Sequence, residues 1–184
     1  MSQQSLLCGD KHKWRIGPEL GRGRFGTVVV ASDSQNRQAA IKCLNSEYAQ
    51  DEFAVRRFVQ EIAAMHALRH PAIPTIFDQG ITGEGTPFFA MQLLHGDTLE
   101  TRRLSVGGRL GVKFVLQIAE QALDALEYAH TAGWLHRDIN PRNLFVTQSN
   151  EFKLLDLGLC RAIESSGVLA SITGPGFLGT PGFT

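Results

Sequence analysis

The chain has 184 residues, enough to bury a hydrophobic core as one domain or as two small lobes. Its 18 Lys and Arg balance its 18 Asp and Glu, so the formal net charge is zero and gives no electrostatic reason to expect a nucleic-acid or membrane-surface partner. The 3 cysteines, Cys8, Cys43 and Cys160, are far apart and form no C-x-x-C pattern, which argues against a disulfide framework and a zinc site and fits a reducing, cytoplasmic setting.

In chain order, Met1 to Asp10 lacks the charged and apolar regions of a secretory signal, and no apolar run approaches transmembrane length. Residues 14 to 42 read as strands, with the β-branched run Val28-Val29-Val30 and the apolar stretch Ala39 to Leu44 flanking polar turn material. Residues 52 to 69 read as a helix, because Val55, Phe58, Val59, Ile62, Met65 and Leu68 recur at steps of three and four. His70-Pro71 should end it, since a residue before Pro is pushed out of the helical region. Ile73 to Gln79 and Thr86 to Leu94 read as strands around the turn Thr82-Gly83-Glu84-Gly85.

Near His95-Gly96-Asp97 a strand passes into helix, which marks the boundary between lobes. Residues 110 to 131 carry the longest helical pattern, with Val115, Ile118, Ala122, Ala125, Leu126 and Ala129 on one apolar face and Gly133 as the stop. Short apolar pieces follow at Leu144-Phe145-Val146 and Lys153-Leu154-Leu155, and Gly167 to Thr184 reads as a mobile loop. Trp134 and the cysteines read as core or half-buried apolar residues.

Four motifs carry chemistry. Gly21-Arg22-Gly23-Arg24-Phe25-Gly26-Thr27-Val28 spells G-x-G-x-x-G-x-V, in which glycines let backbone N–H groups approach phosphate oxygens. A dinucleotide-binding turn uses the same glycine spacing but opens a helix, whereas Thr27 to Val30 favours a strand. Lys42, in Ala39-Ala40-Ile41-Lys42, sits on an apolar strand and needs an anionic partner if it points inward. Glu61, within the apolar helical stretch Phe58 to Ile62, can supply one. His136-Arg137-Asp138-Ile139-Asn140-Pro141-Arg142-Asn143 places an Asp five residues before an Asn, and Asp156-Leu157-Gly158 adds a second carboxylate.

Together and in this order, the motifs resemble those of the protein kinase family, with a bacterial serine/threonine flavour, over Trp14 to Thr184. The resemblance implies an α+β fold of two lobes. Residues 1–13 would be an N-terminal extension, 14–94 an antiparallel sheet plus one helix, and 95–184 a partial helical lobe ending in the activation and substrate-binding segment. It implies phosphoryl transfer from ATP, with Mg²⁺, to a protein Ser or Thr. Asp138 would deprotonate the acceptor, Glu61 would hold Lys42 on the phosphates, and Asn143 and Asp156 would hold the metal. Gly21, Gly23 and Gly26 would cover the phosphates; Val28, Ala40 and Phe145 would enclose the base; Met91 would guard it; and Gln92 to Leu94 would bind adenine through backbone groups. Arg137 would pair with a phosphorylated activation loop, with Ser165, Ser166, Ser171 and Thr173 as candidate sites, and Gly179-Thr180-Pro181-Gly182-Phe183 would receive the substrate residue.

Two departures set the alternatives. Asn140 replaces a Lys that, in the family pattern, contacts the transferred phosphate, and losing one such contact costs on the order of 10²–10³ in rate. Arg142 is a candidate to replace part of that charge. The A-P-E segment and later helices of the pattern are not in the sequence, so a fragment without activity and a nucleotide- or partner-binding module with little turnover stand beside the active kinase as expectations.

Overall fold

A computed structural model describes residues 6–157 in full and the backbone of 161–162. The predicted loop from Gly167, the candidate phosphorylation sites, Cys160, Gly158 and the segment Gly179 to Phe183 lie outside the described residues. The architecture is mixed α+β, as the sequence implies, and the chain divides into two compact units. Unit 1 holds residues up to Ile62 together with Thr75–Leu94, and unit 2 holds Ala63–Pro74 and the chain from His95.

Unit 1 is built on a six-stranded antiparallel sheet ordered β1-β2-β3-β4-β6-β5. The strands are β1 (Leu6–Cys8), β2 (Lys13–Arg22), β3 (Gly26–Ser32), β4 (Gln38–Leu44), β5 (Ile76–Ile81) and β6 (Pro87–Met91). Trp14, Ala31, Ala39, Ile41, Phe88 and Ala90 form its core. In β4, Ala39, Ala40 and Ile41 are all buried, because the strand is covered on both faces and its pattern is continuous rather than alternating. Between Ile16 and Glu19 the register of β2 on β3 slips, at Gly17-Pro18, where Pro has no N–H for the ladder.

The N-terminal residues do more than extend the chain. β1 pairs with β2, and a bridge from Gly9 to Gly80 together with the Asp10 N–H on the Gln79 carbonyl (2.8 Å) joins β1 to β5. The two edge strands are thereby joined at one point, which covers part of their exposed edges. Asp78 locks the closure: its buried carboxylate accepts from the N–H groups of Lys11 (3.0 Å) and His12 (2.9 Å) and from Trp14 Nε1 (2.9 Å). A side chain at Gly9 would strike that carboxylate, so only Gly fits there.

The helix α1 (Glu52–Ala67) begins where Asp51 Oδ1 accepts from the Phe53 and Ala54 N–H groups. Phe58 packs on Phe89 with centroids 5.3 Å apart. Val59 is exposed, so the apolar stripe expected of the sequence is narrower by one residue.

Unit 2 is organised by α3 (Val112–Thr131), whose Ile118, Ala122, Ala125 and Ala129 recur on one face. They pack with Val146, Phe152 and Leu154 of the hairpin β9 (Leu144–Thr147) and β10 (Phe152–Leu154), and with Leu99 of α2 (Leu99–Ser105). Gly133, at φ +81°, supplies the left-handed step that ends α3. Val115 lies on the exposed side of α3 with Val112, Leu116 and Leu123, not on the buried face the sequence assigned it. Beyond α1, His70 contacts Asp124 of α3 at 3.2 Å, and Lys153 donates to the Pro71 carbonyl at 2.6 Å. β7 (Gly96–Thr98) pairs with β9. A Cβ at Gly96 would strike the Val146 carbonyl, which explains the glycine where strand turns into helix. Thr98 then caps α2 by accepting from the Thr101 N–H. The short β8 (Trp134–Leu135) pairs with β11 (Arg161–Ala162). Trp134 is half-buried rather than core, and Cys8 is exposed.

Candidate active site

In unit 1 the β3–β4 register places Val28 opposite Lys42 and Gly26 opposite Leu44. Lys42 Nζ donates to both carboxylate oxygens of Glu61, at 2.7 and 2.8 Å. The side chains keep 18% and 6% of their exposure, so the ion pair is largely withdrawn from water. An ammonium on an apolar strand needs such a partner, and α1 supplies it from the face that also carries Phe58. A Cβ on Gly26 would approach the Cys43 carbonyl to 2.9 Å and Lys42 Cε to 3.6 Å. The glycine therefore lets the loop end lie against the Lys42 stem. Gly21 has no atom within 4 Å of a built Cβ, so nothing crowds the loop on that side.

Ala40 is buried in β4 opposite Met91. Gln92 and Leu94 are half-buried, and the Gln92 N–H is engaged by the Thr75 carbonyl at 2.8 Å. That bond occupies the Gln92 N–H, so of its two backbone groups only the carbonyl is left for another partner. Cys43, beside Lys42, has its thiol pushed up to about 11 by burial.

In unit 2 the His136–Asn143 loop is held by bonds between near neighbours in sequence. Asp138 receives one side-chain amide on each carboxylate oxygen: Asn140 Nδ2 on Oδ1 (3.1 Å) and Asn143 Nδ2 on Oδ2 (3.0 Å). The same two amides also donate to the Asp138 backbone carbonyl, at 3.2 and 2.8 Å. Asn140 is buried, and its Oδ1 accepts from the Arg142 N–H at 3.0 Å, which fixes the orientation of its amide. With Nδ2 of Asn143 turned to Asp138, Oδ1 is the atom of that amide suited to meet a cation.

His136 is buried and accepts the Asp138 N–H on Nδ1 (3.3 Å), while Nε2 lies 3.1 Å from the Leu155 carbonyl. Nε2 therefore carries the proton. Burial pushes the imidazole below its ordinary pKa, against the pull of the Leu155 bond and the charges of Asp156 and Asp138. The ring is neutral and structural, tying the loop to the segment before Asp156. The Leu155 N–H on the Asn143 carbonyl (2.8 Å) makes a second tie.

Arg137 and Asp156 adopt φ of +65° and +58°, a conformation that costs non-glycine residues free energy and recurs where function demands it. Phe145, in β9, is half-buried. Arg142 is exposed, and its charge acts on Glu100, whose carboxyl is held low first by the hydrogen bond from Arg103. Among the described residues, no group of three or more His, Cys, Asp and Glu could hold a metal. Asn143 and Asp156 would hold Mg²⁺ only together with ligand oxygens from elsewhere, such as phosphates.

One residue of evident importance to the loop, Asn45, was not singled out from the sequence. Counting the β3–β4 register from Gly26 opposite Leu44 sets Asn45 across from Phe25, at the glycine-rich turn, and that count is the signal that could have found it.

Comparison with known proteins agrees with these local structures. The model of the protein kinase domain matches residues 14–183. A probable serine/threonine-protein kinase of Streptomyces coelicolor, SCO3848, is 36% identical over 165 residues, covering 88% of this chain and 24% of its own length. The serine/threonine-protein kinase PknA of Mycobacterium tuberculosis is 34% identical over 161 residues, covering 85% of this chain and 37% of its own. The probable serine/threonine-protein kinase PknB of Bifidobacterium longum is 31% identical over 174 residues, covering 90% and 25%. The chain thus spans between about a quarter and just over a third of the length of these relatives. With the family's motifs in order and its domain model matched along nearly the whole sequence, the chain belongs to the protein kinase family.

Proposed function

We propose that the protein transfers the terminal phosphoryl group of ATP to a Ser or Thr of another protein. The observation that carries this reading is the Lys42–Glu61 pair, formed at 2.7 Å with Gly26 against the lysine stem. A half-buried cation beside a glycine-rich turn is suited to a phosphate chain, and its pairing with the buried Glu61 carboxylate fixes its position before nucleotide arrives.

In this reading the loop Gly21–Gly26 and Lys42 bind the phosphates, Val28, Ala40 and Phe145 enclose the base, and the Gln92 to Leu94 backbone meets adenine. Asn143 Oδ1 and the Asp156 carboxylate hold Mg²⁺, which neutralises phosphate charge when bound. Asp138 orients the acceptor hydroxyl and receives its proton. Its carboxylate is kept from rotating by the two amides, so no reorganisation is needed when the hydroxyl arrives. A cytoplasmic location, with Mg-ATP and reduced thiols, fits this chemistry.

The test is Mg²⁺-dependent transfer of labelled phosphate from ATP to a protein acceptor, with Asp138→Asn alongside. Transfer by the wild type and its collapse in the variant support the proposal; equal transfer by both would sink it. A second reading, a nucleotide-binding module with little turnover, draws on Asn140, which puts a neutral amide where the family pattern has a cation. It predicts ATP-induced thermal stabilisation without transfer.

A further inference from the structure

The glycine-rich turn is held from one side by a residue outside every motif. Asn45 follows β4 and makes four bonds to the turn and its flank. Its Nδ2 donates to the carbonyls of Gly23 (3.3 Å) and Arg24 (3.1 Å). Its backbone N–H donates to the Phe25 carbonyl (2.8 Å). Its Oδ1 accepts from Thr27 Oγ1 (2.7 Å), which fixes which way the amide faces. The carbonyls of three successive residues are thus drawn to one side chain and its backbone, and the Gly23 N–H closes the turn on the Gly26 carbonyl (2.8 Å).

Peptide planarity gives this arrangement a consequence. No peptide here is cis, and in a trans peptide the C=O and the following N–H point in opposite directions. With the carbonyls of Gly23, Arg24 and Phe25 turned to Asn45, the N–H groups of Arg24, Phe25 and Gly26 face away from it. Successive N–H groups aimed to one side form an anion-binding concavity. The tip is seated as well. The Phe25 ring meets Tyr48 edge-on at 5.0 Å, and the Arg57 guanidinium of α1 lies 4.9 Å from its centroid.

We infer that Asn45 is a positioning residue that presets the turn so that the N–H groups of Arg24 to Gly26 present themselves to the phosphate chain of a nucleoside triphosphate. The inference rests on the nucleotide-binding part of the proposed function. It makes a claim that reading does not: affinity for the phosphates, but not for the nucleoside, depends on a side chain that does not itself touch ligand.

The test is calorimetric titration of the full chain with two probes, the Mg²⁺ complex of a non-hydrolysable ATP analogue and adenosine alone. Asn45→Ala should weaken the analogue roughly tenfold, the scale of losing a small number of neutral hydrogen bonds, and leave adenosine unchanged. Asn45→Asp keeps the size and the Thr27 contact but cannot donate to Gly23 and Arg24, so it should not rescue. Thr27→Val, which removes the bond that orients the amide, should move analogue affinity the same way by a smaller factor, and provides an independent variant should Asn45→Ala fail to fold. A purely structural role predicts a fall in melting temperature with equal effects on both probes, and that result overturns the inference. So does analogue affinity equal to wild type in Asn45→Ala and Thr27→Val. Wild-type protein that binds neither probe overturns the nucleotide reading itself, and the inference with it.

Discussion

The two units build their functional groups in opposite ways. In unit 1 the contacts are long in sequence: Lys42 meets Glu61 19 residues away, Asn45 reaches back 22 residues to Gly23, and Asp78 holds Lys11 across 67. In unit 2 Asp138 is fixed by Asn140 and Asn143, two and five residues on. The unit 1 arrangement therefore exists only when the sheet and α1 are in register. The unit 2 arrangement is a property of one short loop, supported at His136 and Leu155. Damage to the first should appear in both stability and nucleotide affinity, and damage to the second in chemistry with the fold intact.

The sharpest break of that contrast is Asp138→Asn. It should lower phosphate transfer by about 10²–10⁴-fold, the usual contribution of a positioned general base, with ATP-analogue affinity and melting temperature near wild type. Radiolabel transfer and calorimetry on the same preparation separate the two quantities.

Lys42→Met should lower transfer on the order of 10²–10³-fold. Unlike the Asp138 variant, it should also weaken nucleotide binding and cost stability, because it leaves the Glu61 carboxylate buried without its cation. A Lys42→Met protein with unchanged melting temperature and analogue affinity would contradict the account of unit 1.

The closure of the sheet gives a prediction with no expected change in chemistry. Asp78→Ala strands the buried Trp14 Nε1–H and the part-buried N–H groups of Lys11 and His12, and should cost about 3 kcal/mol in urea unfolding. Burial by itself would raise the Asp78 carboxyl, but the bonds from Trp14, Lys11, Gln79 and His12 together hold it below the usual range. A carboxyl depressed in the folded state contributes stability above its unfolded pKa, near 4, and loses it as pH falls through the lower folded value. The gap between wild type and Asp78→Ala should thus be full at pH 7 and shrink below about pH 4. A gap constant down to strong acid would show that the carboxylate charge does not matter.

The mildest contrast is thiol reactivity. Exposed Cys8 should alkylate readily at pH 8. Cys43, with its thiol pushed up to about 11, should react on the order of 10²-fold more slowly. Peptide mapping after brief treatment reads the difference.

What could be seen in the sequence follows the same division. The Asp138–Asn143 spacing was legible because five residues of chain largely dictate the geometry. The Lys42–Glu61 pair was legible only through the order of motifs, since nothing local joins the two residues. The closure of β1 on β5 was not visible, because Leu6 to Cys8 is too short to show alternation and Asp78 looks like any strand Asp until the N-terminal N–H groups reach it. Asn45 carried no signal in the sequence, as its role depends on which way three carbonyls face. Val59 and Val115 fit the helical period but fall outside the buried arcs, because periodicity marks an apolar stripe without saying how wide its cover is.

The most direct test of the central claim, that unit 1 binds nucleotide while the Asp138 loop does the chemistry, is the transfer rate at saturating Mg-ATP for wild type and Asp138→Asn, with analogue affinity measured in parallel. The account predicts wild-type transfer well above the variant at closely similar affinity. Equal transfer rates, or an affinity that falls as far as the rate, would contradict it.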